Sequence, residues 1–331
     1  MKKLKLMGLL VLVVMLATLS MGFVSKASAA DKWVLKGGHV AAASHAMNLT
    51  LIEMGKQMEQ RTGGRVKFDV FPEAAIGGER EMIEGARIGT VDFALTTSAV
   101  LGNFVPEMKL FDLPFLFKDR DNAIRVLDGP IGQKLLDSMT AKGLIGLAFW
   151  ENGFRNLTNS KRPINKPEDL KNLKMRTMEN PIHLESWRTL GANPTPMAFA
   201  EVYTALQQGT VDGQENPLAI IYTTRLYEVQ KYLSMTNHNY SPMVLMVSKK
   251  LWDTFPADIK TAFKELAMTN ANVERGILKT DEAKYLADMQ KAGLKVNYPD
   301  TALFREKVKS VYDKHSKAIG ADIINQILKA K

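Results

Sequence analysis

Two arginines, Arg155 and Arg176, carry the chemistry that this sequence specifies best. Arg176 ends the strand-like segment 173–175, and α/β proteins present ligand contacts at the carboxyl ends of strands. A guanidinium binds a carboxylate through two parallel hydrogen bonds, and a second guanidinium adds charge that is never lost. Position alone favours an ordinary surface ion pair for each residue. Acting together, the two arginines would form a pocket for acids and not for neutral sugars.

The most distinctive stretch is residues 191–217, GANPTPMAFAEVYTALQQGTVDGQENP. Its pattern predicts a helix that Thr195-Pro196 opens, followed by a short strand at Val211-Asp212. Periodicity places Phe199 in the core and Asn216 in a turn. The pattern alone assigns neither residue to a ligand.

Signatures of catalysis are missing from the sequence. It has no G-x-S-x-G, no G-x-x-x-x-G-K, no H-E-x-x-H and no G-x-G-x-x-G after a strand. His39 and His45 stand six apart, which is no recognised metal-ligand spacing, and cysteine is absent. The sequence therefore predicts no enzyme and no metal or cofactor.

The segments that must position these residues alternate between strand and helix. Apolar runs and period-two alternation predict strands at residues 33–38, 66–70 and 91–96, with helices at 47–58 and 79–88 between them. This alternation indicates an α/β fold with a largely parallel sheet and helices on both faces.

The downstream segments point to two lobes that share elements. We expect buried core at 113–117, strands at 144–150 and 173–177, and a helix at 181–190. Apolar runs at 232–236 and 243–247 lie end to end, as one strand crossing between lobes would. A helical pattern from Pro256 to about Lys291 would be roughly 50 Å long, which is more than one lobe needs.

The first 30 residues predict a secretory signal peptide. Three lysines precede an apolar run at 7–23, and the small residues 27–30 provide an A-x-A-like cleavage site. An uncleaved membrane anchor is the alternative, because the run is close to the minimum length for a span. Cleavage near Ala30 or Asp31 would leave no cysteine for a lipid anchor, so we expect the protein in a periplasm.

The charge pattern argues against a nucleic-acid partner. The formal net charge is +9, but the signal segment holds four of the lysines and no acid. The other lysines are scattered among acids, which is typical of a solvated surface. The remaining positive field would help a small anion to approach.

Several motifs accompany residues 191–217. They are Phe71-Pro72, Gly77-Gly78, Leu113-Pro114-Phe115, Asn152-Gly153-Phe154-Arg155, Leu173-Lys174-Met175-Arg176, Tyr227-Glu228-Val229-Gln230-Lys231-Tyr232 and Met235-Thr236-Asn237-His238. Together they closely resemble the solute-binding subunits of tripartite ATP-independent periplasmic (TRAP) transporters, the DctP-type family. The resemblance covers essentially all of the chain beyond the signal segment.

The resemblance implies four ligand-binding residues in the second lobe. Arg176, which ends the L-K-x-R motif, would make the bidentate contact with a carboxylate, and Arg155 of N-G-x-R would lie beside it. Asn216 of Q-E-N-P would support the acid group. Phe199 of P-M-A-F would pack against the ligand.

The first lobe is where members of this family differ in substrate. Sialate-binding members place a glutamate and an arginine after the third strand, whereas this chain has Thr97-Ser98 and then Val100. A sialic acid ligand is therefore doubtful, and His39, Thr97 and Ser98 are expected to select the acid. Further expected contacts are the pocket walls Trp150 and Tyr240, with core packing as the alternative for Trp150. Glu79 and Glu179 are weaker candidates.

The resemblance also implies a fold and a division into domains. The fold is an α/β, two-lobed periplasmic binding protein of the type II-like class, with lobe-crossing strands and a long lobe-spanning helix. Residues 31–153 and about 242–280 would form lobe I. Residues 154–241 and about 281–331 would form lobe II.

The function that follows is capture of a small organic acid by hinge closure. The open form would bind the anion on the second-lobe arginines, and closure would bring His39 and Thr97 onto it. A hydroxy or keto acid, a C4 dicarboxylate, a sugar acid and a small sulfonate all remain open. The expected partners are the small and large permease subunits of an ion-driven transporter, with the binding protein itself a monomer.

Two alternatives to transport remain open from the sequence. The protein could present its ligand to a membrane sensor, which the sequence does not distinguish from delivery to a permease. It could also be a periplasmic lyase or isomerase, in which case Glu79 or His39 would have to serve as the general base.

Overall fold

Across residues 31–329, which the computed structural model describes, nine strands form one mixed sheet. The strands are β1 (Trp33–Gly38), β2 (Val66–Phe71), β3 (Phe93–Thr97), β4 (Leu144–Asn159), β5 (Lys174–Thr177), β6 (Asn193–Pro196), β7 (Gly213–Asn216), β8 (Tyr232–Ser248) and β9 (Lys295–Asn297). Their order is β2-β1-β3-β8-β4-β7-β5-β6, and β9 pairs with β8. The predicted signal peptide lies outside the described residues.

Helices pack around this sheet. They are α1 (Ala46–Arg61), α2 (Glu79–Ile88), α3 (Ser98–Leu101), α4 (Arg120–Leu127), α5 (Pro130–Ser138), α6 (Pro181–Leu190), α7 (Val202–Gln207), α8 (Leu218–Thr223), α9 (Lys249–Trp252), α10 (Ala257–Lys291), α11 (Thr301–Lys307), α12 (Lys309–Ile319) and α13 (Ala321–Lys329). Short 3₁₀ helices span Pro106–Asp112, Met139–Lys142, Pro167–Leu170, Phe199–Glu201 and Leu226–Glu228. Over residues 31–329, no helix is both long and apolar enough to cross a membrane.

Two long strands, β4 and β8, join the two halves of the sheet. They are 16 and 17 residues long and pair antiparallel along most of their length. The carboxyl half of β8 pairs with β3, whereas the carboxyl half of β4 pairs with β7. The prediction that residues 232–236 and 243–247 belong to one crossing strand is confirmed. The predicted strand at 144–150 was too short, because it continues through Asn152-Gly153 to Asn159.

The expectation of a largely parallel sheet is wrong at the centre. β1–β3, β5–β6, β5–β7 and β8–β9 are parallel, but β3–β8, β8–β4 and β4–β7 are antiparallel. The physical reason is the crossing: one long strand carries the chain from the first half of the sheet to the second, and the other carries it back.

The crossing strands are irregular near their middle. The register between β4 and β8 shifts between Glu151 and Gly153 and again between Arg155 and Leu157. Such irregularities bend a strand and increase its twist. Gly153 has φ 112°, a conformation that residues with a Cβ rarely adopt. The bend therefore lies at the Asn152-Gly153 pair.

The long helix α10 is attached to β4 just before this bend. The predicted helix from Pro256 to about Lys291 is confirmed at 35 residues. Arg275 Nη2 donates to the Phe149 carbonyl at 2.7 Å, and the backbone N–H of Glu151 donates to Glu274 Oε2 at 3.1 Å. Both Glu151 and Glu274 are fully buried.

These two buried acids have different surroundings. Arg120 Nε donates to Glu151 Oε1 at 2.7 Å, whereas no described cation hydrogen-bonds to Glu274. Burial raises the pKa of Glu274 well above its usual 4.5, and the neighbouring Glu151 raises it further, against a smaller opposite effect of Arg275 and Arg120. Glu274 is therefore the member of the pair whose protonated form the fold favours more strongly.

Replacing Glu274 with glutamine is expected to stabilise the protein increasingly as the pH rises. The folded wild type holds a proton that the unfolded chain loses above pH 4.5, so its stability falls as the pH rises towards the folded pKa. Glutamine does not titrate, and the gain should approach about 1.4 kcal/mol per pH unit. Urea unfolding between pH 5 and 8 measures it. The exposed Glu265→Gln change on the same helix is the control, and a gain independent of pH would contradict the expectation.

Local predictions elsewhere had mixed outcomes. The helix predicted at 181–190 matches α6 residue for residue, and residues 113–117 are buried as expected. The helix expected from Thr195-Pro196 is present as α7, but its predicted start is wrong, because those residues end β6 and a 3₁₀ turn at Phe199 precedes α7. The strand expected at Val211-Asp212 starts two residues later, as β7. The division into lobes I and II at the stated residues stays a prediction.

Candidate functional site

A cleft with about 380 Å³ of empty space lies between the two halves of the sheet. Of the residues predicted to bind the ligand, the following line it: Glu79, Thr97, Arg155, Arg176, Phe199 and Asn216. Val40, Ala41, Met47, Asn152, Met178, Ile220 and Met243 complete the lining. The cleft therefore combines three charged side chains with a largely apolar remainder, which is typical of a small-ligand site.

Arg176 is a buried cation that no carboxylate neutralises by direct contact. Its side chain is 2% exposed, and Nε and Nη2 both donate to the Met197 carbonyl, at 3.0 and 2.7 Å. The guanidinium carbon lies 5.9 Å from the centre of the Phe199 ring. Burial lowers the pKa of Arg176 to about 10, so the group stays charged at neutral pH but at a cost in desolvation.

Arg155, in contrast, is already paired. It is fully buried, and its Nε and Nη2 donate to both carboxylate oxygens of Glu215. Nη2 also donates to Asn216 Oδ1 at 3.1 Å. Glu215 is additionally contacted by His238 Nε2 at 3.0 Å. Arg155 therefore brings hydrogen-bond donors to the cleft, while its charge is balanced by Glu215.

The pKa of Glu215 reflects this pairing. Burial alone would raise it, but the charge of Arg155 and the hydrogen bonds from His238 and Arg155 more than offset burial and hold it far below its usual value. Burial lowers the pKa of His238, while its hydrogen bond to Glu215 and the charge of Glu215 raise it in part. The charges of Arg155 and Glu215 thus balance each other.

Three buried polar atoms in the cleft have no hydrogen-bond partner among the described residues. They are Nη1 of Arg155, Nη1 of Arg176 and Oδ1 of Asn152. Buried polar groups are almost always satisfied in folded proteins. Two guanidinium donors and one amide acceptor in the cleft are therefore free to hydrogen-bond to a polar molecule.

Glu79 is the acidic side chain in the lining, opposite in charge type to Arg155 and Arg176. It is the first residue of α2, and its two carboxylate oxygens accept from the N–H and the hydroxyl of Thr97, at 2.6 and 2.7 Å. Burial raises the pKa of Glu79, while Thr97 and the more distant Arg176 lower it in part. Thr97, at the end of β3, thereby fixes the direction of this carboxyl group.

His39 does not line the cleft, contrary to the expected ligand contact. The side chain is fully buried, and Nε2 lies 3.1 Å from Asn48 Oδ1 of α1. Burial lowers the pKa of His39 to about 4. The residues that follow it, Val40 and Ala41, face the cleft instead. His45 is also buried and caps α1 by accepting from the Met47 N–H.

Trp150 and Tyr240 lie in the core and not in the walls of the cleft. Trp150 is fully buried and donates through Nε1 to the Ala267 carbonyl of α10, at 3.2 Å. Tyr240 packs edge-on against Phe117 and Phe154, with ring centres 5.8 and 5.1 Å apart. Neither side chain, each on a crossing strand, lines the cleft.

Ser98 and Glu179 also fall outside the lining. Ser98 is buried as the first residue of α3. Glu179 follows Met178 and acts on Arg176 only through its charge. Its backbone carbonyl accepts from the Asn103 side chain at 2.6 Å.

The sequence analysis missed several residues of the lining. Asn152 was named only as a member of the N-G-x-R motif, and the sequence analysis did not assign it to the ligand. Met178, Ile220 and Met243 looked like ordinary core residues, because apolar ligand contacts and core packing have the same pattern. Within the described chain, no cluster of three His, Asp or Glu side chains could hold a metal ion.

Comparison with known proteins gives consistent relatives. A family model for "Bacterial extracellular solute-binding protein, family 7" matches residues 37–318. A TRAP periplasmic solute-binding protein from Polaromonas sp. JS666, solved with D-erythronate, is 44% identical with a TM-score of 0.89, over 91% of this chain and 99% of that one. The 2,3-diketo-L-gulonate-binding periplasmic protein of Escherichia coli is 37% identical over 79% of this chain and 80% of its own length.

A dicarboxylate-binding relative is similar over the same range. The C4-dicarboxylate-binding periplasmic protein of Rhodobacter capsulatus is 34% identical over 89% of this chain and 90% of its own. The two-lobed fold and the cleft thus define a periplasmic-type solute-binding protein. The chain belongs to the bacterial extracellular solute-binding protein family 7, the solute-binding subunits of TRAP transporters. This family consists of transport proteins and not of enzymes, in agreement with the sequence.

Proposed function

We propose that this protein captures a small organic acid anion in the cleft by its carboxylate. The observation that carries the proposal is the pair of buried, unpartnered Nη1 groups on Arg176 and Arg155. A carboxylate between them would satisfy both donors and neutralise the charge of Arg176, which no carboxylate contacts directly. Asn216, held by Arg155 and by its own hydrogen bond to Gln214 at 2.6 Å, supports the acid side of the cleft.

The relatives support an acid as the ligand. Those described above are named for, or were solved with, D-erythronate, 2,3-diketo-L-gulonate or C4 dicarboxylates. All of these compounds are short carbon chains that end in a carboxylate.

Closure of lobe I on lobe II would complete the site. Glu79 and Thr97 stand on the first half of the sheet and the arginines on the second, with the bend at Asn152-Gly153 between them. A ligand that contacts both halves stabilises the closed form, because it binds that form more tightly. In this proposal lobe I comprises residues 31–153 and about 242–280, and lobe II comprises residues 154–241 and about 281–331.

Delivery to the membrane completes the proposed role. The protein is exported by its signal peptide, acts as a monomer in the periplasm, and hands its ligand to the small and large permease subunits of an ion-driven transporter. Proteoliposomes that contain the permease test this step. Uptake of labelled acid should require both the binding protein and an ion gradient, and uptake without the binding protein would contradict it.

A screen of organic acids by thermal unfolding tests capture itself. An acid at 100 times its Kd should stabilise the folded state by about 2.7 kcal/mol, which raises the Tm by several degrees. Neutral polyols of the same length are the control and should leave the Tm unchanged. Failure of every organic acid to raise the Tm, with no acid recovered from the purified protein by mass spectrometry, would refute the proposal.

A further inference from the structure

The charged groups of the cleft are unevenly distributed. Glu79 stands on the first half of the sheet, whereas Arg155 and Arg176 stand on the second. Because Glu215 already balances Arg155, Arg176 is the one cation in the lining that awaits an anion. The rest of the lining is apolar apart from Thr97, Asn152 and Asn216. The cleft therefore offers compensation for one carboxylate and for no second one.

The carboxyl group of Glu79 is fixed in place and still has capacity to accept. Each of its oxygens takes one hydrogen bond from Thr97, at 2.6 and 2.7 Å. A carboxylate oxygen has a second lone-pair direction. The natural partner for these free positions is a hydroxyl of the ligand, which donates. Asn152 Oδ1, buried without a partner, is a second acceptor for a ligand hydroxyl.

We infer that Glu79 determines the class of ligand: a monocarboxylic acid that carries hydroxyl groups at the end away from its carboxylate. This inference rests on the proposed function and narrows the class of acid that the protein binds. Glu79 accepts a hydrogen bond from a distal hydroxyl of the ligand. A second ligand carboxylate at the position of that hydroxyl would put two negative groups together in a buried site. An acid without hydroxyls would leave Glu79 and Asn152 unsatisfied. Dicarboxylates and simple fatty acids are both disfavoured.

Three acids with four carbons provide a matched test by isothermal titration calorimetry. D-Erythronate has one carboxylate and hydroxyls, succinate has two carboxylates, and butanoate has one carboxylate and no hydroxyl. The wild type should bind D-erythronate at least about 100-fold more tightly than succinate or butanoate, because neither of these acids can donate a hydroxyl hydrogen bond to Glu79. D-Galactonate and its dicarboxylate counterpart galactarate repeat the comparison for a longer chain.

The variant Glu79→Gln tests the residue itself. Glutamine keeps the shape but has no charge, and its amide nitrogen does not accept. Binding of the hydroxy monoacid should weaken at least about 10-fold, and the preference for monoacid over diacid should fall by about the same factor or more. Thr97→Val, which removes one of the groups that position Glu79, should act in the same direction with a smaller effect. Circular dichroism and the Tm verify that each variant is folded.

The outcomes separate this inference from the proposed function. If the wild type binds the diacid of each pair as tightly as the monoacid, or if Glu79→Gln leaves the ratio unchanged within twofold, the assignment of Glu79 is overturned. If Arg176→Ala still weakens acid binding in that case, the proposed capture of an acid is retained. If no acid binds at all, both fail.

Discussion

Replacing Arg176 with alanine is expected to weaken acid binding at least about 100-fold, because truncating one partner of a buried, hydrogen-bonded charge pair costs about 2–5 kcal/mol or more. The ligand-free protein should hardly be destabilised. The guanidinium of Arg176 is buried and donates to one carbonyl group, that of Met197, and burial already lowers the pKa of Arg176 to about 10. Losing an uncompensated charge offsets the lost packing. Calorimetry and urea unfolding measure the two quantities separately.

Two further variants sharpen this prediction. Arg176→Lys keeps the charge but loses the planar fork, so it should recover only part of the affinity. Arg188→Ala removes an exposed arginine at the end of α6 and should bind as the wild type does. Equal affinity of Arg176→Ala and wild type would show that the cleft does not hold the acid group.

Replacing Arg155 is expected to lower the stability of the ligand-free protein strongly, whereas replacing Arg176 should hardly change it. Arg155→Met would leave the carboxylate of Glu215 buried without its cation, at a cost of about 3–5 kcal/mol. The double variant Arg155→Met/Glu215→Gln removes both charges and should regain most of that loss. Urea unfolding of the two variants makes the comparison. A double variant as unstable as the single one would show that charge pairing is not the cause.

The stability that Arg155→Met loses relative to wild type should also depend on pH. In the wild type the pKa of Glu215 is depressed, so its contribution to stability is full above pH 4.5 and is lost as the pH falls towards the folded pKa. In the variant, a proton taken up by Glu215 or by the adjacent His238 removes the buried uncompensated charge. Stability of the variant relative to wild type should therefore rise between pH 7 and 5. A relative stability that falls over this range would contradict the pairing.

Much of the fold could be predicted from local pattern. The helix at 181–190 begins with proline after Asn180, whose side chain caps it, and ends at a glycine with φ 101°. These signals are local, so the sequence specifies both ends. The long helix α10 was also visible as a long helical pattern, and the crossing strand β8 as two apolar runs that lie end to end. The antiparallel centre of the sheet was not visible, because strand direction depends on where distant segments pair.

The site was only partly predictable for the same reason. Arg155, Arg176 and Phe199 sit in motifs of the family, and the structure places all three in the cleft. His39 precedes the cleft residues Val40 and Ala41, and Tyr240 lies on the irregular strand β8. A sequence does not show to which side such a side chain turns. Glu215, which neutralises Arg155, was overlooked because the short strand was predicted at Val211-Asp212, before Glu215, and the next residue, Asn216, was placed in a turn.

A crystal structure of the protein with D-erythronate or D-galactonate tests the capture of an acid on Arg176 most directly. The ligand carboxylate should lie about 2.7–2.9 Å from guanidinium nitrogens of Arg176 and within hydrogen-bond distance of Arg155. The distal hydroxyls should face Glu79. A bound acid whose carboxylate contacts neither arginine, or which lies outside the cleft between the two halves of the sheet, would contradict it.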